Sequence, residues 1–189
     1  MRRTLSTSIL TAIGALEGLA AMARFEDRKR LYADAEKRAT SLGRPLVVVG
    51  DPDAGMHTRI LRAYQCGDIC VDLNGCPACP IQYVVDLTKQ KIPNLADDSA
   101  VVFVSCVLEY VADPEPVLKE LLRIAGGPDN LYIVTVQPWT MTATLYPGAR
   151  QRGEACGGRV TMEPVSSTRK LAYATALAAL ALGALVPEK

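Results

Sequence analysis

An apolar run that ends on small polar residues, Val102 to Val111, constrains this chain more than any other feature. It reads as a buried strand that stops near Ser105 and Cys106 and turns at once into a helix. After Asp113 and Pro114, the positions Val117, Leu118, Leu121, Leu122 and Ile124 recur with the 3.6-residue period of an amphipathic helix. Gly126, Gly127 and Pro128 break it, and Leu131 to Val136 form a second apolar strand. A strand, a crossover helix and a strand make a βαβ unit, with parallel strands and a right-handed crossover.

Upstream, the same alternation repeats. Phe25 to Leu42 reads as a charged helix with Phe25, Leu31, Tyr32, Ala35 and Ala39 on one face, closed by Gly43. Leu46 to Val49 is a buried strand, Gly50 to Gly55 a turn, and Met56 to Tyr64 a helix. Asp68 to Asp72 and Gln82 to Asp86 are the next two strands. Alternating units of this kind specify an α/β fold with a doubly wound, mostly parallel sheet. Residues 44–148 form this domain, 149–169 a polar Gly-rich linker, and apolar helical segments flank it at 1–43 and 170–189.

Two word-like segments carry a family likeness. Asp86-Leu87 followed by Ile92-Pro93, then V-L-E-Y-V-A-D-P from Val107 to Pro114, resemble the second half of a class I S-adenosylmethionine (SAM) methyltransferase. The resemblance implies a Rossmann-like sheet of order 3-2-1-4-5, here truncated before its last strands. It also implies SAM as cofactor. On the matching positions, Gly50, Asp51 and Gly55 would receive the methionine end of SAM. Asp72 with Leu73 would hold the ribose, Asp86 with Leu87 the adenine, and Ser105 with Cys106 would line the methyl-donor side. Glu109, at the start of a helix, would serve structure. The chain departs from the family pattern in three places: Pro52 or Asp53 replaces the middle glycine, valine replaces the acidic residue of the first strand, and no aspartate opens the fourth. No motif names a methyl acceptor. Two functions follow as expectations: a SAM-dependent methyltransferase, or an inactive methyltransferase-fold protein used as a structural or assembly subunit, for instance of a viral or membrane-associated particle.

Cysteine is the second signal. Cys66, Cys70, Cys76 and Cys79 place four of the six cysteines within 14 residues. Such a group suits a tetrahedral zinc site, a disulfide (Cys76–Cys79 or Cys66–Cys76), or unlinked buried thiols. Cys156 reads as a loop thiol. His57, the only histidine, reads as a solvated residue at a helix start, and Trp139, the only tryptophan, as a core anchor or a substrate wall.

Charge is balanced, 21 basic against 20 acidic residues, so no excess positive field draws nucleic acid. Two apolar tracts, Leu5 to Met22 and Leu171 to Val186, frame the domain. The second has 16 residues, which at ~1.5 Å per residue reach about 24 Å of a ~30 Å hydrocarbon core. Membrane anchors, Ala-rich helices packed on the sheet or on protein partners, and a signal peptide near Ala20 to Ala23 are all compatible with these tracts. As anchors they would meet lipid, and Arg24, Arg28, Lys29, Arg30, Arg169 and Lys170 on the domain side would place the α/β domain in the cytoplasm. The alternative is a soluble cytoplasmic or particle-bound protein.

Overall fold

The protein is described from a computed structural model that covers residues 2–54, 62–136, 149–152 and 161–164. Helix α1 runs Arg2–Leu42, followed by strands β1 (Leu46–Val49), β2 (Ile69–Asp72), β3 (Gln82–Val84) and β4 (Val101–Ser105). Helix α2 (Glu115–Ala125), strand β5 (Leu131–Val134) and two 3₁₀ turns, Leu108–Tyr110 before α2 and Pro128–Asn130 after it, complete the described α/β unit. The sheet is parallel with order β3-β2-β1-β4-β5, as the resemblance implies.

Both faces of the sheet are covered, and the strand residues alternate between them. Val47, Val49, Val102, Val104 and Ile133 face α2, whose Val117, Leu121 and Ile124 are buried. Leu46, Val48, Val101, Phe103, Tyr132 and Val134 face α1, which contributes Leu31, Tyr32, Ala35 and Ala39. Tyr32 meets Phe103 edge-on at 5.4 Å, an arrangement the ring quadrupoles favour.

Polar clamps fix the connections. Buried Glu120 accepts from the Ile92 amide at 2.9 Å and from Arg123, while Arg123 also donates to the Leu95 carbonyl and to Asp97. The helix-free link between β3 and β4 is thereby tied to α2. Helix α2 ends on Gly126 in the left-handed region at φ 70°, where a Cβ would collide with the Asp98 side chain. Gly126→Ala is expected to cost about 1–2 kcal/mol from backbone strain alone, and more from the clash, read as a lowered urea midpoint with unchanged slope.

Several expectations need correction. Residues 149–169 contain two strands, β6 (Ala149–Arg152) and β7 (Thr161–Pro164), paired antiparallel in a separate small sheet. Polar strands this short carry too little apolar alternation to stand out from a linker. The run after β4 makes only the 3₁₀ turn before Asp113, where an immediate helix was expected. At the N-terminus, Leu5 to Met22 and Phe25 to Leu42 are parts of one helix, since alanine-rich runs favour helix rather than interrupt it. Among the described residues no helix is long and apolar enough to cross a membrane. The tract from Leu171 to Val186 lies outside the described residues, as do Gly55, His57, Trp139, Cys156 and most of the helix expected over Met56 to Tyr64.

Candidate functional site

In an open parallel sheet, ligands bind beyond the carboxyl ends of the strands, where the strand order reverses. Here that point lies between β1 and β4. The two strand ends meet tightly: Gly50 sits at φ 105°, and a Cβ on it would come within 2.9 Å of the Ser105 carbonyl oxygen. Gly50 is therefore required by the packing of β4 against β1, before any ligand is considered.

Asp72, at the end of β2, ties the neighbouring turns together. Its carboxylate accepts from the Asp51 amide at 3.2 Å and from the Asn74 amide at 2.8 Å. Asp51 in turn accepts from the Asp53 amide at 3.0 Å. Each Asp72 oxygen retains a second lone pair. Leu73 beside it is 61% exposed.

Asp86 and Leu87 face other duties. The Asp86 carboxylate accepts from the Thr88 amide, the Thr88 hydroxyl and Lys89, whose ammonium lies 2.7 Å away. Lys89 first, then Thr88, holds its pKa down to about 2. Leu87 is buried in the core beside Val85 and Ile92.

At the end of β4 the structure assembles a group that spans the chain. Arg28, on α1, donates from Nε to the Ser105 hydroxyl and from Nη2 to the Cys106 sulfur, both at 3.0 Å. Its guanidinium is buried, and no carboxylate forms a salt bridge with it among the described residues. Cys106 holds φ 53°, a left-handed conformation that costs a non-glycine residue on the order of 1 kcal/mol. Burial pushes its thiol up to about 12, and Glu109 adds to the shift. Glu109 is 1% exposed, and neither carboxylate oxygen has a hydrogen-bond partner among the described residues. Burial pushes its pKa up to about 7, partly opposed by the nearby charge of Arg28. The Tyr64 hydroxyl donates to the Asp51 carbonyl at 3.1 Å and closes the site from the β1 side.

The expected residues thus converge only in part. Gly50, Asp51, Asp72, Ser105 and Cys106 gather at the strand ends, with Leu73 beside them. Asp86 is committed to its own turn and Leu87 to the core. Arg28 and Tyr64 were missed as site residues. For Arg28 a signal existed: it lies three and four positions before Leu31 and Tyr32 and seven before Ala35, on the stripe of α1 that meets the sheet.

The second cluster is sulfur. Cys66 pairs with Cys79, and Cys70 with Cys76, with Cα separations of 5.5 and 6.2 Å. Neither pairing anticipated from the sequence occurs, and none of the four is an unlinked thiol or, in this state, a metal ligand. The reason lies in the fold. Cys70 is on β2, and the link to β3 runs only from Leu73 to Ile81, shorter than the dozen residues that parallel crossovers usually need. That link has no helix. Cys76 and Cys79 hold it against β2, and the Cys76 amide donates to the Gln82 side chain at 2.6 Å. Disulfides persist in oxidising compartments, which runs against placing the domain in a reducing cytoplasm. No family description, no curated protein and no solved structure matches this chain.

Proposed function

We propose that the domain binds an adenosine-bearing ligand of the SAM type at the carboxyl ends of β1 and β2, in the manner of the methyltransferases it resembles. One observation carries the reading. Asp72 stands at the end of the strand adjacent to the switch point, partly exposed, with free lone pairs and an exposed apolar neighbour, Leu73. A carboxylate there can accept from both ribose hydroxyls, and an apolar side chain beside it can cover a base. The strand order β3-β2-β1-β4-β5 supports the same placement. Arg28 and Tyr64 would fix the floor between β1 and β4, and Arg28 would offer positive charge to a carboxylate. SAM, when bound, supplies an electrophilic methyl group. Glu109 reaches no solvent, so it serves as a buried proton-holding group and not as a base toward a substrate.

A second reading, the non-catalytic scaffold, is favoured by two observations: Arg28 already occupies the end of β4, and the Asp86 carboxylate is bonded to Thr88 and Lys89 of its own turn. Calorimetric titration of the full chain with SAM and S-adenosylhomocysteine separates the two. Micromolar binding that weakens at least ~10-fold in Asp72→Asn, about 1.4 kcal/mol, is expected under the first reading. Asparagine keeps an acceptor for one turn amide, so the fold tolerates the change. Absence of heat at millimolar ligand with a folded chain would leave the scaffold.

A further inference from the structure

We propose that the four cysteines around β2 form a redox-gated zinc site: a tetrathiolate that holds one Zn²⁺ when reduced and releases it on closing the two disulfides. The proposal is independent of what binds at the strand ends.

The geometry points to it. The sulfur atoms of Cys70, Cys76 and Cys79 all lie within 4.8 Å of one another, and the Cys66 sulfur is bonded to that of Cys79. Three sulfurs thus converge, and the fourth stands one bond from the group. A tetrahedral ion with Zn–S bonds of ~2.3 Å needs sulfurs ~3.8 Å apart, so the two arrangements differ by shifts of one to two ångströms, roughly speaking. Two purely structural disulfides have no need to share a cluster. Three of the four are dry: Cys70 and Cys76 are 0% exposed and Cys79 6%, while Cys66, half-buried, packs against them. Soft thiolates in an apolar setting select Zn²⁺ over harder cations.

The local chain supports the same conclusion. Cys76 and Cys79 flank Pro77 and Ala78, and the Cys79 amide donates to the Cys76 carbonyl at 2.9 Å. This tight turn presents two sulfurs to one side. The other two come from β2 and the residue group before it, so the ligands tie together the segments that the disulfides tie. Without either link, the crossover between β2 and β3 is left to the strand pairing and a few hydrogen bonds, with no helix packed over it. A metal would keep the crossover closed where disulfides cannot form.

The reaction balances with a small-molecule disulfide as oxidant. The tetrathiolate complex carries a charge of two minus. One cysteine thiolate of each pair attacks a molecule of oxidant and expels one thiolate; its partner then attacks the mixed disulfide and expels a second. Two oxidant molecules accept four electrons in all. The products are two protein disulfides, Zn²⁺ and four small thiolates.

The test uses the full chain with Cys106→Ser and Cys156→Ser, so that only the four cysteines remain, reduced with a phosphine under anaerobic conditions. Titration with Co²⁺ should produce the thiolate charge-transfer band and intense d–d bands of a tetrahedral sulfur site, saturating at about one equivalent. Zn²⁺ should displace the cobalt. Oxidised glutathione should then bleach the spectrum, consume all four thiols and return the cobalt to solution. Substituting Cys76→Ser should remove or blue-shift the charge-transfer band. Whatever the folding of that variant, the oxidised and reduced forms of the parent provide a second comparison. The proposal is overturned if the reduced chain gives no tetrahedral cobalt spectrum, or if that spectrum survives full oxidation or the loss of Cys76.

Discussion

Reducing both disulfides in the presence of a chelator is expected to lower the stability of the domain by about 3 kcal/mol or more. Chain-entropy arguments give about 3 kcal/mol for the outer Cys66–Cys79 link, of sequence separation 13, and about 2 for the inner Cys70–Cys76 link, of separation 6. The two loops are nested, so their effects do not add in full. The inner bond alone shortens what the outer one still has to close. Urea denaturation of the oxidised and reduced chains measures the difference. With Zn²⁺ supplied in place of the chelator, most of the loss should return, since a ligand that binds only the folded state stabilises it by mass action. A reduced, metal-free chain as stable as the oxidised one would show that the crossover is held by other contacts.

The second large effect concerns Glu109. Its folded pKa of about 7 lies above the ordinary value of 4.5, so between these the folded state binds the proton that the unfolded state has lost. Stability from this group is fully present below about 4.5, falls as pH rises through 7, and is flat above. The shift corresponds to about 3 kcal/mol. Wild type should therefore lose stability between about pH 4.5 and about pH 7. Glu109→Gln, which cannot ionise, should match wild type near the acid end and exceed it by about 2–3 kcal/mol at the alkaline end. Asp86, Asp98 and Glu120 are shifted down, so their titration falls at or below the ordinary carboxylate range and does not mask the effect. Parallel pH profiles for the two proteins would mean that Glu109 is already ionised in the fold.

Much of the architecture was legible because it depends on patterns of short range. Val102 to Ser105, the stripe from Val117 to Ile124 and the Gly126 stop each announce their element locally, and the βαβ rule supplies direction and hand. The order of strands came from the family likeness and not from periodicity. What escaped depends on distance in space. The cysteine pairing could not be read because four cysteines allow three connectivities, and the choice between them depends on how β2 and the Leu73 to Ile81 link lie in space. Arg28 was read as one member of a basic run, although its helical phase aligns it with Leu31 and Ala35. In Asp86 the expected base contact is occupied by Thr88 and Lys89, neighbours so close in sequence that their side chains reach back first. Motifs transfer positions more readily than they transfer free valences.

The short crossover also bears on how the molecule meets its neighbours. Strand β3 is three residues long and forms one border of the described sheet, with Ile81 and Val84 exposed along it. Brevity of this kind makes a poor template for another chain. If the sulfur links were lost and β3 peeled away, the border would pass to β2, whose Ile69, Cys70 and Val71 would present open backbone groups on an apolar strand. Solubility of this protein should then follow its redox history: the sulfur staple keeps a sticky edge out of circulation.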